Sequence, residues 1–257
     1  APLAALSGVQ VVNSKMAFFS DAIGHSAFAG AAIGLVLGIS IDFTMPALAL
    51  AIGLLIMWLK RGSRLSSDTA IGIVFSAVVA FGLAVVSGSR EASSNVSMFL
   101  FGDILTIGDA EIVALALLLV AFLVFQFFAW NRMLNISVSP QIAAVHRIPL
   151  RAVQYVFAAL LALVVIFCVR AVGVLLVTAI LIVPAASARN FARTSKGVFW
   201  CSLAVGVVSC AAGLVLSAQE SVRMPAGAAV VLCSCAIFLA SFLVSLTKGR
   251  KSPDADQ

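Results

Sequence analysis

The sequence predicts an all-α fold, a polytopic bundle of transmembrane helices, from its composition, its long uncharged windows and the placement of its basic residues. Of 257 residues, 63% are apolar and 10% are charged, and the mean hydropathy is +1.18. A soluble domain is about half apolar and about a quarter charged. We therefore predict one transmembrane domain over residues 1–247 and a disordered cytoplasmic tail over 248–257.

Charge-free windows of about the length needed to cross a bilayer recur along the chain and predict about eight spans. They cover 22–41, 43–59, 69–89, 112–131, 152–169, 171–188, 197–219 and 224–247. Threaded alternately with Lys15 in the cytoplasm, they leave only Arg90, Arg170 and Arg223 of the 16 basic residues outside. This positive-inside pattern places the C-terminus in the cytoplasm. The basic excess therefore reflects topology and does not indicate a nucleic-acid surface.

Residues 1–14 are apolar and uncharged, and no basic region of the kind that opens a signal peptide precedes them. We expect this segment to be the second half of a transmembrane helix whose first half is absent from the chain. It would add a truncated N-terminal helix to the eight predicted spans.

Asp21 and His25 stand four residues apart at the head of an uncharged apolar run. Residues i and i+4 share a helix face, so the carboxylate and the imidazole point the same way. If the helix begins near Ser14 or Lys15, the pair lies roughly 9–15 Å from its cytoplasmic end, at about 1.5 Å per residue. Ionisable groups inside a membrane are costly and by default indicate a functional site.

Three interpretations of this pair remain open: a transient site for a transported divalent metal, a proton relay, and a structural pair that hydrogen-bonds to itself. Imidazole and carboxylate both bind Zn²⁺, and Mn²⁺ accepts them too. Two ligands from one helix leave the shell incomplete. Another helix, a symmetry mate or water would have to supply the rest, and a sparse shell suits an ion that must leave again.

The cytoplasmic segment 132–151 contains a second candidate element. Ser139-Pro140 resembles an N-cap followed by Pro at the first helical position, and Pro149 ends the short helix that follows. A short helix flanked by basic residues is typical of a docking element, or else of an ordinary connecting loop.

Three acidic residues give the outer segment 90–111 its character: Asp103, Asp109 and Glu111. They would either concentrate cations at an entrance by electrostatic steering or form only a solvated surface.

Other intramembrane polar side chains are assigned structural roles, back-bonding or bridging helices: Thr178, Gln126, Gln154 and Ser76. No G-x-x-x-x-G-K-[ST] loop is present, so the chain does not hydrolyse ATP alone. The motifs H-E-x-x-H and G-x-S-x-G are missing as well. These signatures of soluble enzymes are therefore missing from the sequence.

Five blocks follow one another in the order of a known family. They are Asp21-x-x-x-His25 before a Gly/Ala-rich helix, LFGDILTI at 100–107, SP-x-x-A at 139–143, GVLLVTAILIVPAASARNFAR at 173–193 and PAGAAVVL at 225–232. Together they resemble the membrane permease subunits of bacterial ABC importers for zinc and manganese, the zinc-uptake permeases most of all. The resemblance runs from residue 1 to the tail.

The resemblance implies a homodimer in the bacterial inner membrane, with two copies of a separate cytoplasmic ATPase and a periplasmic or surface metal-binding protein as partners. ATP would bind only to the partner, and Zn²⁺ or Mn²⁺ would be transported rather than held as a cofactor. Asp21 and His25 would line the translocation path.

The resemblance also implies that segment 139–148 is the coupling helix, which contacts the ATPase. Its contact residues would be Ser139, Pro140, Ala143, His146 and Arg147. Relatives commonly carry an Asp-Gly turn where this chain has His146-Arg147. Since glycine permits a positive φ that arginine disfavours, the turn geometry or the partner's surface would differ here.

Two other classes of function stay open from the residues alone. A secondary transporter with Asp21 and His25 as a proton relay would need no ATPase, but the internal symmetry typical of such proteins is missing. An intramembrane enzyme would need a second catalytic group inside the membrane, and the sequence offers no obvious one.

Overall fold

The structure, a computed structural model, describes residues 1–62, 66–87, 108–138, 150–192, 194–219 and 224–247. Within these ranges the chain is all-helical, as predicted. The helices are α1 (Pro2–Asn13), α2 (Phe19–Leu37), α3 (Ile41–Gly62), α4 (Ser67–Ser87), α5 (Asp109–Val138), α6 (Leu150–Val172), α7 (Val174–Phe191), α8 (Ser195–Ser217) and α9 (Ala226–Thr247). The predicted coupling segment 139–148, Asp103 and the tail 248–257 lie outside the described residues.

Seven helices in the described part of the chain, α2 to α6, α8 and α9, are long and apolar enough to cross a membrane. Each coincides with a predicted span. The remaining predicted span, 171–188, coincides with α7, a helix of 18 residues. Gly173, at φ 86°, separates α7 from α6. The prediction of a polytopic helical bundle is confirmed.

The chain divides into two compact units. The larger unit is Gln10–Thr178, and the smaller combines Ala1–Val9 with the described residues from Ala179 onward. In the smaller unit, the Ser202 hydroxyl donates to the Ala5 carbonyl at 2.9 Å, and Asn190 donates to the Ser241 hydroxyl at 2.9 Å. That residues 1–247 form one membrane domain stays a prediction.

Helix α2 is the most buried membrane-spanning helix of the larger unit, and it packs against α3, α4 and α6. Small side chains make this close packing possible, since lipid supplies no hydrophobic drive for helices to associate. A Cβ at Gly30 would lie 2.9 Å from the Met45 Cα, and one at Gly34 would lie 2.6 Å from the Thr44 Oγ1. The Gly/Ala-rich run that follows Asp21 therefore brings α2 and α3 into near-backbone contact.

The start of α2 differs from the prediction. Lys15 adopts a positive φ of 52° just after α1. The Met16 amide donates to the Val11 carbonyl at 3.1 Å, and the Lys15 amide donates to the Val12 carbonyl at 3.3 Å. These two bonds form the Schellman motif that ends a helix. The expected helix start near Ser14 or Lys15 is therefore wrong, because that stretch terminates α1 and α2 begins only at Phe19.

Residues that the sequence assigned to opposite sides of the membrane also separate in the larger unit. Lys15 and Lys60, both predicted to be cytoplasmic, line one cavity of about 380 Å³. Arg170, predicted to be outside, pairs with Asp42 and Glu111, which the threading also places outside. Each group comes from different helices, so the alternate threading agrees with the packing of this unit.

Candidate functional site

Asp21 and His25 lie on α2, four residues apart, and Asp21 falls in its first turn. Measured from Phe19 at about 1.5 Å per residue, Asp21 is only about 3 Å and His25 about 9 Å into the helix. The predicted depth of roughly 9–15 Å from the helix start is therefore too large. A carboxylate in the first turn also benefits from the positive end of the helix dipole.

The partner of Asp21 in the structure is a neutral side chain on a distant helix. The Thr178 hydroxyl, on α7, donates to the Asp21 Oδ1 at 2.5 Å. Both side chains are partly buried. This interaction joins residues 157 positions apart, so the helical spacing around Asp21 gives no sign of it.

His25 is held by an aromatic contact. Its ring meets Phe75 of α4 edge to face, with the ring centroids 5.1 Å apart and the planes at 81°. His25 is partly buried and lies about one helical turn from Asp21 along α2. No hydrogen bond or ion pair joins the two side chains in the described part of the chain. The structure therefore does not support the interpretation in which Asp21 and His25 hydrogen-bond to each other.

The pair has no further strong metal ligand among the described residues, where no group of three His, Cys, Asp or Glu side chains occurs. Asp21 and His25 together offer one carboxylate and one imidazole from a single helix face. Such a pair can bind a divalent cation only with help from water, hydroxyl or carbonyl oxygens, or a second protein chain. This arrangement suits weak, transient binding better than permanent storage.

The acidic residues of the predicted entrance are placed differently from one another. The Glu111 carboxylate bonds the Arg170 guanidinium at 2.8 Å, and Arg170 also bonds Asp42 at 2.7 Å. Asp109 is exposed in the first turn of α5. Asp103 lies outside the described residues. The structure thus brings Glu111 together with Arg170 and Asp42, and Asp109 stays at the surface.

The four polar residues that were assigned structural roles differ in their surroundings and hydrogen bonds. The Ser76 hydroxyl donates to the Gly72 carbonyl at 3.0 Å within its own helix, as predicted. Gln154 lines the 380 Å³ cavity. Gln126 is buried, and within the described residues its amide has no hydrogen-bond partner. Thr178 does bridge helices, but it bridges to a site residue, so its assignment as purely structural missed its contact with Asp21.

Two signals in the sequence pointed towards Thr178. It lies in the 173–193 block, the longest of those on which the family resemblance rests. It is also a hydroxyl within an apolar stretch, and such residues often bond across helices in membranes.

Comparison with known proteins identifies a family that spans nearly the whole chain. Residues 1–245 match the ABC 3 transport family. The high-affinity zinc uptake system membrane protein ZnuB of Haemophilus influenzae is 32% identical over 234 residues, covering 91% of this chain and 89% of that protein. The manganese import system permease protein ScaB of Streptococcus gordonii is 31% identical, covering 93% and 84%.

A solved structure has the same fold. The structure of PsaBC from Streptococcus pneumoniae in complex with Fab superposes with a TM-score of 0.78 at 28% sequence identity. The match covers 93% of this chain and 86% of the PsaBC chain. The helix arrangement within this chain is therefore shared with that solved structure.

Proposed function

The chain belongs to the ABC 3 transport family, and on that premise we propose that it is the membrane permease of an ATP-driven importer that carries Zn²⁺, or else Mn²⁺, into the cytoplasm. Members of this family are membrane subunits, and the ATPase is a separate protein. The names of the relatives support the proposed choice of metals, because one belongs to a zinc uptake system and another to a manganese import system. The permease makes no covalent bond itself.

The observation that carries the proposal is the Asp21–His25 face of α2. A carboxylate and an imidazole stand on one face of the most buried membrane-spanning helix of the larger unit. Within the part of the chain that the structure describes, the carboxylate accepts its hydrogen bond from a neutral hydroxyl and pairs with no Lys or Arg. The negative charge of Asp21 is therefore available to offset that of a cation. We infer that both side chains bind the metal transiently as it crosses.

The test is the set of variants Asp21→Ala, His25→Ala and the double variant, measured for uptake of radioactive Zn²⁺ and Mn²⁺ by cells. We expect each single variant to lose uptake, with complex assembly unchanged, because each removes a ligand. The double variant should be as inactive as either single one. Recovery of uptake in the double variant would instead identify a structural pair and contradict the metal site.

The partners follow from the same premise. We propose a homodimer in the bacterial inner membrane, two copies of a cytoplasmic ATPase, a periplasmic or surface metal-binding protein, and a cytoplasmic C-terminus. The basic residues support this orientation, since only Arg90, Arg170 and Arg223 of 16 fall outside. Labelling of a cysteine at position 139 from outside intact cells would contradict it.

Segment 139–148 is the proposed coupling element, with Ser139, Pro140, Ala143, His146 and Arg147 as its contact residues. The residues that flank it in the sequence support this proposal, because Ser137 at the end of α5 and Gln154 near the start of α6 line the same cavity as Lys15 and Lys60. Arg147→Glu should uncouple uptake from ATP hydrolysis while the permease still assembles. Unchanged transport-coupled ATPase activity in that variant would argue against the assignment.

The acidic entrance also remains a proposal. Asp103 and Asp109 are its candidate residues, whereas Glu111 is already paired with Arg170. Steering of cations by surface charges weakens as salt screens them. Asp109→Asn should therefore slow initial uptake at low ionic strength and have no effect at high ionic strength, and an equal effect at both would exclude steering.

A further inference from the structure

Thr178 is held against Asp21 by the packing of two helices in register. On α7, Val174 and Thr178 are four residues apart and share a face; on α2, Asp21 and Gly24 are three apart and share a face. A Cβ at Gly24 would lie 3.2 Å from the Val174 Cγ1, so the two helices touch there. One turn further along α7, the Thr178 hydroxyl reaches the Asp21 Oδ1. The two contacts fix the same register.

The backbone around this contact is also specific. Gly173 adopts φ 86°, and its amide donates to the Val169 carbonyl at 2.8 Å, so the helix is interrupted at this glycine between α6 and α7. A residue with a Cβ rarely adopts such a φ. Thr178 is β-branched, and its stiff χ1 limits where the hydroxyl can point. The helix break and the side chain together aim the hydroxyl at one oxygen of Asp21.

A short hydrogen bond to one carboxylate oxygen limits how that carboxylate can bind a metal. With Oδ1 engaged by the Thr178 hydroxyl at 2.5 Å, Oδ2 is the Asp21 oxygen that accepts no hydrogen bond from the described residues, and it is the ligand atom that remains. Hydrogen bonds to charged acceptors are roughly twice as strong as neutral ones, so a passing ion does not displace this donor cheaply. Asp21 is thus disposed to bind through one oxygen rather than two.

The number of carboxylate oxygens matters for the choice between the two metals. Zn²⁺ is satisfied by about four ligands in a tetrahedron, with imidazole nitrogen a favoured donor. Mn²⁺ prefers about six, mostly oxygen. Among the described residues no third His, Cys, Asp or Glu joins this pair. A carboxylate that binds through one oxygen, in a site with so few ligands, favours the smaller coordination number, which is that of Zn²⁺.

We propose that Thr178 is a specificity-determining positioning residue: by occupying one oxygen of Asp21 it makes the site favour Zn²⁺ over Mn²⁺. This inference rests on the proposed function, since it takes Asp21 and His25 to be the metal ligands. It adds the preferred ion and a residue that acts on the metal through Asp21.

The test uses the full-length permease with its ATPase in nanodiscs, without the binding protein, so that only the membrane site selects the ion. Zn²⁺ binding is measured by competition with a fluorescent chelator, and Mn²⁺ binding by loss of the free Mn²⁺ paramagnetic resonance signal. Thr178→Val keeps the shape of the side chain and removes the hydroxyl. We expect the ratio of Mn²⁺ to Zn²⁺ affinity to rise about tenfold, the size of one charge-assisted hydrogen bond.

Two variants serve as controls. Thr178→Ser keeps the hydroxyl and should stay within about threefold of the wild-type ratio. Ser76→Ala removes a hydroxyl that bonds only its own helix and should leave the ratio unchanged. If Thr178→Val does not assemble, Thr178→Ala carries the same prediction, because it also removes the donor.

Each outcome separates this inference from the proposed function. A wild-type complex that binds neither ion, or an Asp21→Ala complex that binds both as the wild type does, would overturn the metal site itself. If Asp21→Ala abolishes binding but Thr178→Val leaves the ratio unchanged, or weakens both ions equally, then only the role of Thr178 is overturned.

Discussion

Two groups of carboxylates in the larger unit are satisfied by different chemistry. Asp42 and Glu111 both bond the Arg170 guanidinium, at 2.7 and 2.8 Å. Asp21 accepts a hydrogen bond from the Thr178 hydroxyl at 2.5 Å. A guanidinium supplies a positive charge as well as hydrogen bonds, whereas a hydroxyl supplies only the hydrogen bond. Arg170 therefore supplies its partners with a positive charge, whereas Thr178 supplies none to Asp21.

The difference separates the two acids that join helices from Asp21, the acid that we propose binds a transported ion. Arg170 joins α6 to α3 and α5 at the predicted outer end, where Asp42 is largely exposed. The Arg170–Asp42 pair, which solvent reaches, contributes little to stability, whereas Glu111 is only 26% exposed. Asp21 lies in a helix of small, buried residues, where an uncompensated charge is costly. That cost is easiest to explain if a cation offsets it during transport.

The largest effect is expected from a substitution that places a permanent positive charge beside Asp21. Asp21 would then be ion-paired, as Asp42 and Glu111 are with Arg170. Thr178→Lys would place an ammonium beside the carboxylate. Two unit charges about 4 Å apart interact by about 4 kcal/mol at an effective dielectric constant of about 20. We therefore expect metal uptake to fall at least about 100-fold, with normal assembly. Cellular uptake and size-exclusion chromatography measure the two quantities.

Thr178→Gln is the matched control for this experiment, because it has nearly the same length without the charge. Its uptake should fall by less than about tenfold. Equal losses in the Lys and Gln variants would mean that side-chain volume, not charge, decides transport at this position. The contrast drawn between Arg170 and Thr178 would then fail.

An intermediate effect is expected where α2 touches α7. Gly24→Leu should push the helices apart and separate Asp21 from Thr178, because even a Cβ at Gly24 would lie 3.2 Å from Val174. Overpacking of this kind costs about 1–3 kcal/mol of stability. We expect uptake to fall about tenfold and the thermal midpoint to drop.

Gly72→Leu is the control for Gly24→Leu, because a Cβ at Gly72 meets nothing within 4 Å. It should leave both uptake and the thermal midpoint close to those of the wild type. A Gly24→Leu permease with wild-type uptake would show that the contact between α2 and α7 is not needed for transport.

The smallest effect is expected at the outer ion pairs. Arg170→Met keeps most of the side-chain length and removes the charge, so Asp42 and Glu111 lose their partner. Ion pairs that solvent reaches contribute about 0–1 kcal/mol each, and Glu111 is the less exposed of the two acids. The thermal midpoint should therefore fall only slightly, mainly through Glu111, and less at high salt. Uptake should stay within about twofold. A loss of uptake as large as that of Asp21→Ala would place Arg170 in the transport path.

Much of the architecture could be predicted from the sequence because the signals are local. Charge-free windows predicted all seven of the long helices that the described residues contain. The i, i+4 spacing of Asp21 and His25 put both on one face of α2, as a helical period requires. The start of α2 could not be predicted in this way, because it depends on the positive φ of Lys15. A lysine in the sequence does not indicate a positive φ, whereas a glycine would.

The sequence by itself determined the class of protein, the helices and the pairing of an acid with a histidine, all of which depend on composition and on neighbours within about one helical turn. Only the tertiary structure decided that Asp21 bonds Thr178 rather than His25. It also decided that Glu111 bonds Arg170. These partners come from other helices, and the register that brings them together depends on how closely small residues such as Gly24 let the helices approach.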